Sequence, residues 1–176
     1  MVWDSEFRVG DLILDGRYRI EAPIARGRHA AVFRVRHLEL RVDRVLKVVN
    51  LKQGRAGDVD RDVLRARYET EAQLGARLAD PHVLRVHELE ETGDHLFLVE
   101  EYASGGSLAA RLSGGPLGIS EAVRITQDVA NGLQALHEQR VVHGNVTPAS
   151  ILLDEAGRAK ITDLGGSQSP WSSADT

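Results

Sequence analysis

Between Arg17 and Asn50 the chain carries three strand-like segments in quick succession, RYRIEAPIA, AAVFRVRHL and RVLKVVN. Each is β-branched or alternating, and a glycine-bearing turn or polar residues separate it from the next. The pattern predicts three successive antiparallel strands. A polar loop holding Gly54 and Gly57 follows, and DRDVLRARYETEAQLGARLA then sets Val63, Leu64, Tyr68, Leu74 and Leu78 on the stripe of an amphipathic helix that stops before Asp80-Pro81. Two further apolar runs, HVLRVHELEE and HLFLVEEY, joined through TGD, read as a hairpin. The first unit is therefore expected to be five strands and one helix.

ASGGSL breaks that pattern with two glycines, as a hinge between lobes would. Beyond it Ser120 is expected to cap a second helix with Glu121 in its first turn. Val123, Ile125, Val129, Leu133 and Leu136 recur at helical spacing and predict one broad buried face. HGNVTPAS comes next, then SILLD and AKITDLG around a tight turn at EAGR, which read as short strands, and a polar tail from Gly165 that is expected to be mobile.

Composition removes several function classes. With 176 residues, 42% hydrophobic content and a net charge of -4, the chain is that of a globular domain or two small lobes, not of a nucleic-acid binder. Lysine occurs only at positions 47, 52 and 160, and arginine is scattered rather than gathered into a phosphate-tracking stripe. No apolar run approaches the roughly 20 residues of a membrane span, and the first residues lack the features of a signal peptide, so the expectation is a cytoplasmic chain without membrane contact. The absence of cysteine excludes disulfides and thiolate chemistry, and no two of the seven histidines share the spacing that would pair them on a helix face.

Taken in order, a glycine-bearing strand turn, a lysine on the third strand, a glutamate on the next helix, a hinge, a histidine-led loop and DLG form a constellation that resembles the protein kinase fold, in particular that of bacterial Ser/Thr kinases. The resemblance runs from about Gly10 to Gly165. It implies an α+β architecture: a five-stranded antiparallel N-lobe with one helix over residues 1–100, a hinge at 101–106, and a partial, mainly helical C-lobe over 107–176.

The same resemblance assigns the residues. IARGRHAAVF lies where the family has G-x-G-x-x-G-x-V over the ATP phosphates; only Gly27 persists, with Ala25 and Ala30 at the outer positions, and Val32 would cover the adenine. Lys47 in VLK would meet the α- and β-phosphates with Glu71 as its ion-pair partner, and Val45 adds bulk against the adenine. Lysine is seldom placed among β-branched residues unless paired, which agrees with an ion pair. Glu101 to Ala103 would offer hinge backbone to the adenine, and Glu100 stands at the gatekeeper position. A buried carboxylate there requires either a hydrogen-bonding partner or a local opening to water.

HGNVTPAS then aligns with the family's H-R-D-L-K-P-x-N. His143, given a structural part in the regulatory spine, and Pro148 persist; Gly144 replaces the arginine, Asn145 the catalytic aspartate, Thr147 the lysine and Ser150 the metal-binding asparagine. An amide is not a base at any accessible pH, which removes roughly 10²–10⁴ in rate. The neutral Thr147 cannot stabilise charge on the transferring phosphoryl group, a loss of about 10²–10³. Ser150 is a weak magnesium ligand. Together the losses exceed about 10⁴, enough to bring a kinase of about 1–100 s⁻¹ near background. Asp163 of DLG keeps the magnesium position, Leu164 would stack on His143, and Gly75 offers no side chain at the helix position of the spine.

What this implies is a pseudokinase that binds ATP with magnesium and acts as a regulatory or protein-binding module, truncated after DLG. The activation segment and the helices that follow in the family are missing, so an apolar C-lobe face is expected to be covered by a protein partner unless the sequence is a fragment. The alternative is an active Ser/Thr kinase, or a piece of one, using a compensating acid. An adenylyl transferase and a scaffold with a vestigial pocket are further readings.

Overall fold

The structure, a computed structural model, describes residues 7–27, 30–51 and 60–164. The loop with Gly54 and Gly57, the glycine of DLG at Gly165 and the polar tail lie outside the described residues. In chain order the elements are β1 (Leu12–Ile13), β2 (Tyr18–Arg26), β3 (Ala30–His37), β4 (Val42–Asn50), α1 (Arg61–Arg77), β5 (Val86–Thr92), β6 (His95–Glu101), β7 (Gly106–Ser107), α2 (Leu108–Ser113), α3 (Ile119–Glu138), β8 (Ile151–Leu153) and β9 (Ala159–Ile161). Two compact units result, one comprising residues up to Arg65 together with His87–Tyr102, the other Ala66–Val86 together with the chain from Ala103. Most of α1 is thus grouped with the second unit, whereas the sequence reading places all of residues 1–100 in one lobe.

In the first unit the predicted meander is present, and the five expected strands are joined by the two-residue β1 at one edge, giving the order β1-β2-β3-β4-β6-β5. Pro23 is placed in β2 beyond the two residues that pair with β1, opposite Phe33 of β3, and irregular register on both sides of it marks the bulges at which a strand accommodates proline. Alternation divides the sheet into two faces. Phe33, Val35, Leu46, Val48, Phe97 and Val99 lie on one face and join Tyr18 and Ile20 in the main hydrophobic core. The opposite face carries Val32, Val45, Lys47, Leu98 and Glu100, since Val32 pairs with Lys47, Lys47 with Leu98 and Val45 with Glu100.

The second unit packs α3 against the antiparallel sheet β7-β8-β9. Ile161 is its centre: it accepts from the Leu84 amide at 2.9 Å and donates to His82 O at 2.8 Å, and it shares a core with Leu78, Val83, Leu136 and Leu164. Asp128 of α3 accepts the Ala159 amide at 2.9 Å, tying the helix to the edge of β9.

Two expectations about helices are corrected. The cap of α3 is Gly118, not Ser120, and it makes no side-chain cap bond; Ser120 lies inside the first turn. Nor does α3 bury the whole predicted set. Ile125, Gly132 and Leu136 point inward, but Val123 is 51% exposed, because residues two apart on a helix cannot face the same neighbour. Part of the segment read as hinge and linker forms structure instead: Ser107 accepts the Ala110 amide at 3.1 Å and starts α2.

Candidate functional site

Lys47 lies in the middle of β4 and Glu100 near the end of β6, one diagonal step apart on the same sheet face. Their side chains meet at 3.3 Å between Nζ and Oε1, with 8% of Lys47 and 2% of Glu100 exposed. The carboxylate that sequence reasoning required to have a partner or water has the lysine. Burying either charge alone would cost several kcal/mol; as a pair each offsets much of the other's desolvation. Glu100 was not among the ligand-binding residues read from the sequence. Its signal was there, a carboxylate inside the apolar run LFLVEE beside a strand with one buried lysine, but the pairing becomes visible only once β4 and β6 are in register.

Ala25, Val32 and Val45 join Lys47 on this face: Ala25 pairs with Val32 across β2 and β3, and Val45 is buried two residues from Lys47. Gly27 closes the β2–β3 turn, its amide donating to Ala30 O at 2.8 Å. Glu101 ends β6 opposite Arg44, and the Ala103 carbonyl accepts the Gly106 amide at 3.3 Å. Glu71, on α1, is buried and belongs to the second unit, as do the remaining predicted residues.

The histidine loop is built from its own groups. His143, 1% exposed, donates from Nε2 to Thr162 O at 2.9 Å, and its Nδ1 accepts the Asn145 amide at 3.3 Å, so the proton is assigned to Nε2 by these partners. Gly144 between them has φ +76°, a left-handed conformation that glycine adopts without a Cβ penalty. Thr147 and Ser150 form a reciprocal cap around the 3₁₀ turn Pro148–Ser150: the Thr147 amide donates to Ser150 Oγ at 2.9 Å and the Ser150 amide to Thr147 Oγ1 at 3.3 Å. The Ser150 hydroxyl is buried with Thr147 O at 3.0 Å and Asn145 O at 3.3 Å. The Asn145 side chain is exposed and carries no charge.

Asp163 follows β9 at φ +64°, half-buried, with Leu164 packed into the Ile161 core. A magnesium ion is commonly held by one or two carboxylates completed by phosphate oxygens and water, so Asp163 fits such an ion by donor chemistry. Ser150 would join it only by giving up hydroxyl contacts inside the loop. No helix among the described residues is long and apolar enough to cross a membrane.

Comparison with known proteins supplies the family. The protein kinase domain model matches residues 18–174. The chain is 30% identical over 87% of its length to the probable serine/threonine-protein kinase pknA2 of Bifidobacterium longum, covering 20% of that protein. It is 34% identical over 87% of its length to the serine/threonine-protein kinase PknL of Mycobacterium tuberculosis, covering 37% of it, and 29% identical over 86% to PrkC of Bacillus subtilis, covering 23%. The chain therefore spans between a fifth and somewhat over a third of these relatives. With its lysine-bearing sheet, histidine loop and DLG in family order, the chain belongs to the protein kinase family.

Proposed function

We propose that this chain is a kinase-like nucleotide-binding module, impaired in phosphoryl transfer, that acts by binding rather than by catalysis. The observation that carries the reading is the histidine loop. Where the family resemblance puts a base, a cation and a metal ligand stand Asn145, Thr147 and Ser150, all neutral, with the latter two hydrogen-bonded into their own turn. None of the three can take a proton from a hydroxyl nucleophile at neutral pH or neutralise a phosphoryl oxygen.

In this reading the first unit takes the adenine over Val32 and Val45 with the Glu101 backbone at its edge, and in the second unit Asp163 is the residue whose donor chemistry suits magnesium. ATP with magnesium is the ligand this arrangement is derived from. A protein partner belongs to the same reading: α3 leaves Ile119, at 86% exposure, and Val123 on its outer side.

Thermal unfolding with and without MgATP tests nucleotide binding. Millimolar nucleotide should raise Tm, since a ligand that binds only the folded state stabilises it by mass action. No shift, with the folded state verified, ends the nucleotide-binding reading.

A second reading is favoured by the relatives, whose names describe kinases. It is a working Ser/Thr kinase, or a portion of one, with a compensating acid elsewhere. Transfer of labelled γ-phosphate to a generic protein substrate separates the two: label on the substrate supports the second reading and ends the first.

A further inference from the structure

We infer that Arg34 reads the base of the ligand, so that the first unit's sheet prefers an oxopurine to an aminopurine. The inference rests on the nucleotide-binding reading and narrows it to a ligand class: a purine nucleotide whose base presents a carbonyl oxygen where adenine has its amino group.

The observation that carries it is an orphaned donor in the middle of β3. Arg34 Nε is buried and has no hydrogen-bond partner among the described residues. A guanidinium is always charged and only donates, so a buried N–H of this kind needs an acceptor, and leaving it without one is unfavourable. Carboxylates on the neighbouring strands are held by other cations. Glu21 of β2 lies 2.8 Å from Arg19, Asp43 of β4 2.8 Å from Arg36, and Glu100 of β6 3.3 Å from Lys47. Glu101 alternates to the opposite face of the sheet. The strands thus set a cation on this face and leave its Nε to an acceptor from outside.

Sheet register decides which part of a ligand that acceptor belongs to. Val32 pairs with Lys47 and Lys47 with Leu98, one row across β3, β4 and β6. Arg34 pairs with Val45 and Val45 with Glu100, the next row on the same face, about 6.5 Å along the strands. Arg34 therefore stands beside Val45 and one row away from Lys47. With Val32 and Val45 covering the ring, the acceptor within its reach is on the base and not on the phosphates. Adenine offers N7 alone, next to an amino group whose N–H opposes the guanidinium. An oxopurine offers O6 and N7 together, the pair that an arginine fork takes bidentately.

Isothermal titration calorimetry of the chain with the magnesium complexes of ATP, ITP and GTP tests this. ITP carries a carbonyl in place of the adenine amino group, so its comparison with ATP isolates the group that Arg34 would meet. ITP and GTP should each bind about tenfold more tightly than ATP, the order of discrimination that a bidentate arginine contact supplies. Arg34→Met keeps the length of the side chain and removes the donors, so it should weaken ITP and bring it to within about threefold of ATP. Should that variant fail to fold, 7-deaza-GTP decides on the wild type: without the N7 acceptor it should bind about threefold or more weakly than GTP. ATP binding as well as or better than ITP in the wild type, an ITP preference that survives in folded Arg34→Met, or 7-deaza-GTP binding as well as GTP overturns the inference while leaving nucleotide binding intact. Binding of none of the nucleotides ends the nucleotide-binding reading, and this inference with it.

Discussion

His143 donates its Nε2 proton to the Thr162 carbonyl at 2.9 Å, joining the start of the histidine loop to the residue before Asp163 inside one buried unit. The bond gives His143 a structural part in holding the loop to the end of β9. His143→Leu keeps an apolar ring-sized volume but strands the buried Thr162 carbonyl and frees the Asn145 amide. We expect a loss of about 2 kcal/mol or more in urea unfolding. A loss under about 0.5 kcal/mol would show that the bond does not hold the loop.

Gly75 offers a second test of what the fold itself demands. A Cβ at this position would lie 2.4 Å from Val86 Cγ2, so the missing side chain on α1 is space that Val86 fills. Gly75→Ala should destabilise by about 1–3 kcal/mol through overpacking, despite alanine's better helix propensity. Val86→Ala should relieve that clash, so the double variant should be more stable than the sum of the two losses by about 1 kcal/mol. Additive losses would place the strain elsewhere.

How far the sequence anticipates the molecule follows from these same residues. The strands of residues 17–50, the hairpin and both long helices were legible because alternation and helical spacing persist over seven residues or more. β1 and β7 span two residues each, too short for any periodicity, and were not. For α2 a signal existed, Ser107 ahead of LAARLS, but the paired glycines before it pointed to a hinge. Lys47, Asn145 and Asp163 could be read as candidates in order along the chain. Relations between strands could not: the partner of Glu100 depends on the register of β4 and β6, and the closed Thr147–Ser150 cap depends on the local turn.

Tyr18 supplies a pH test. Its side chain is buried and its hydroxyl donates to Glu88 at 2.5 Å; burial first, then that bond and the Glu88 charge, push its pKa well above its ordinary value. The folded state therefore keeps the phenol neutral at a pH where the unfolded chain releases the proton, so above about pH 10 the unfolded state binds fewer protons and stability falls as pH rises. The stabilisation is fully present below that pH and is lost toward the folded-state value. Tyr18→Phe should be less stable at neutral pH by about 1 kcal/mol, and its stability relative to wild type should recover as pH rises beyond about 10. Parallel stability curves for the two proteins through this range, measured by urea unfolding, would contradict the assignment.

The histidine loop also predicts which of its replaced residues can be put back. Asn145 is exposed, and its amide and carbonyl already serve His143 and Ser150, so Asn145→Asp changes a side chain in water and should alter stability by no more than about 0.5 kcal/mol. Gly144 is different: at φ +76° any Cβ is strained, and Gly144→Arg should cost about 1–2 kcal/mol. On the reading that Thr147 and Ser150 leave the transfer machinery without a cation and with a weak metal ligand, Asn145→Asp alone should not produce transfer of labelled γ-phosphate. Transfer by that single variant would show that the aspartate was the only missing part, and would move the chain from binding module to kinase one residue short of activity.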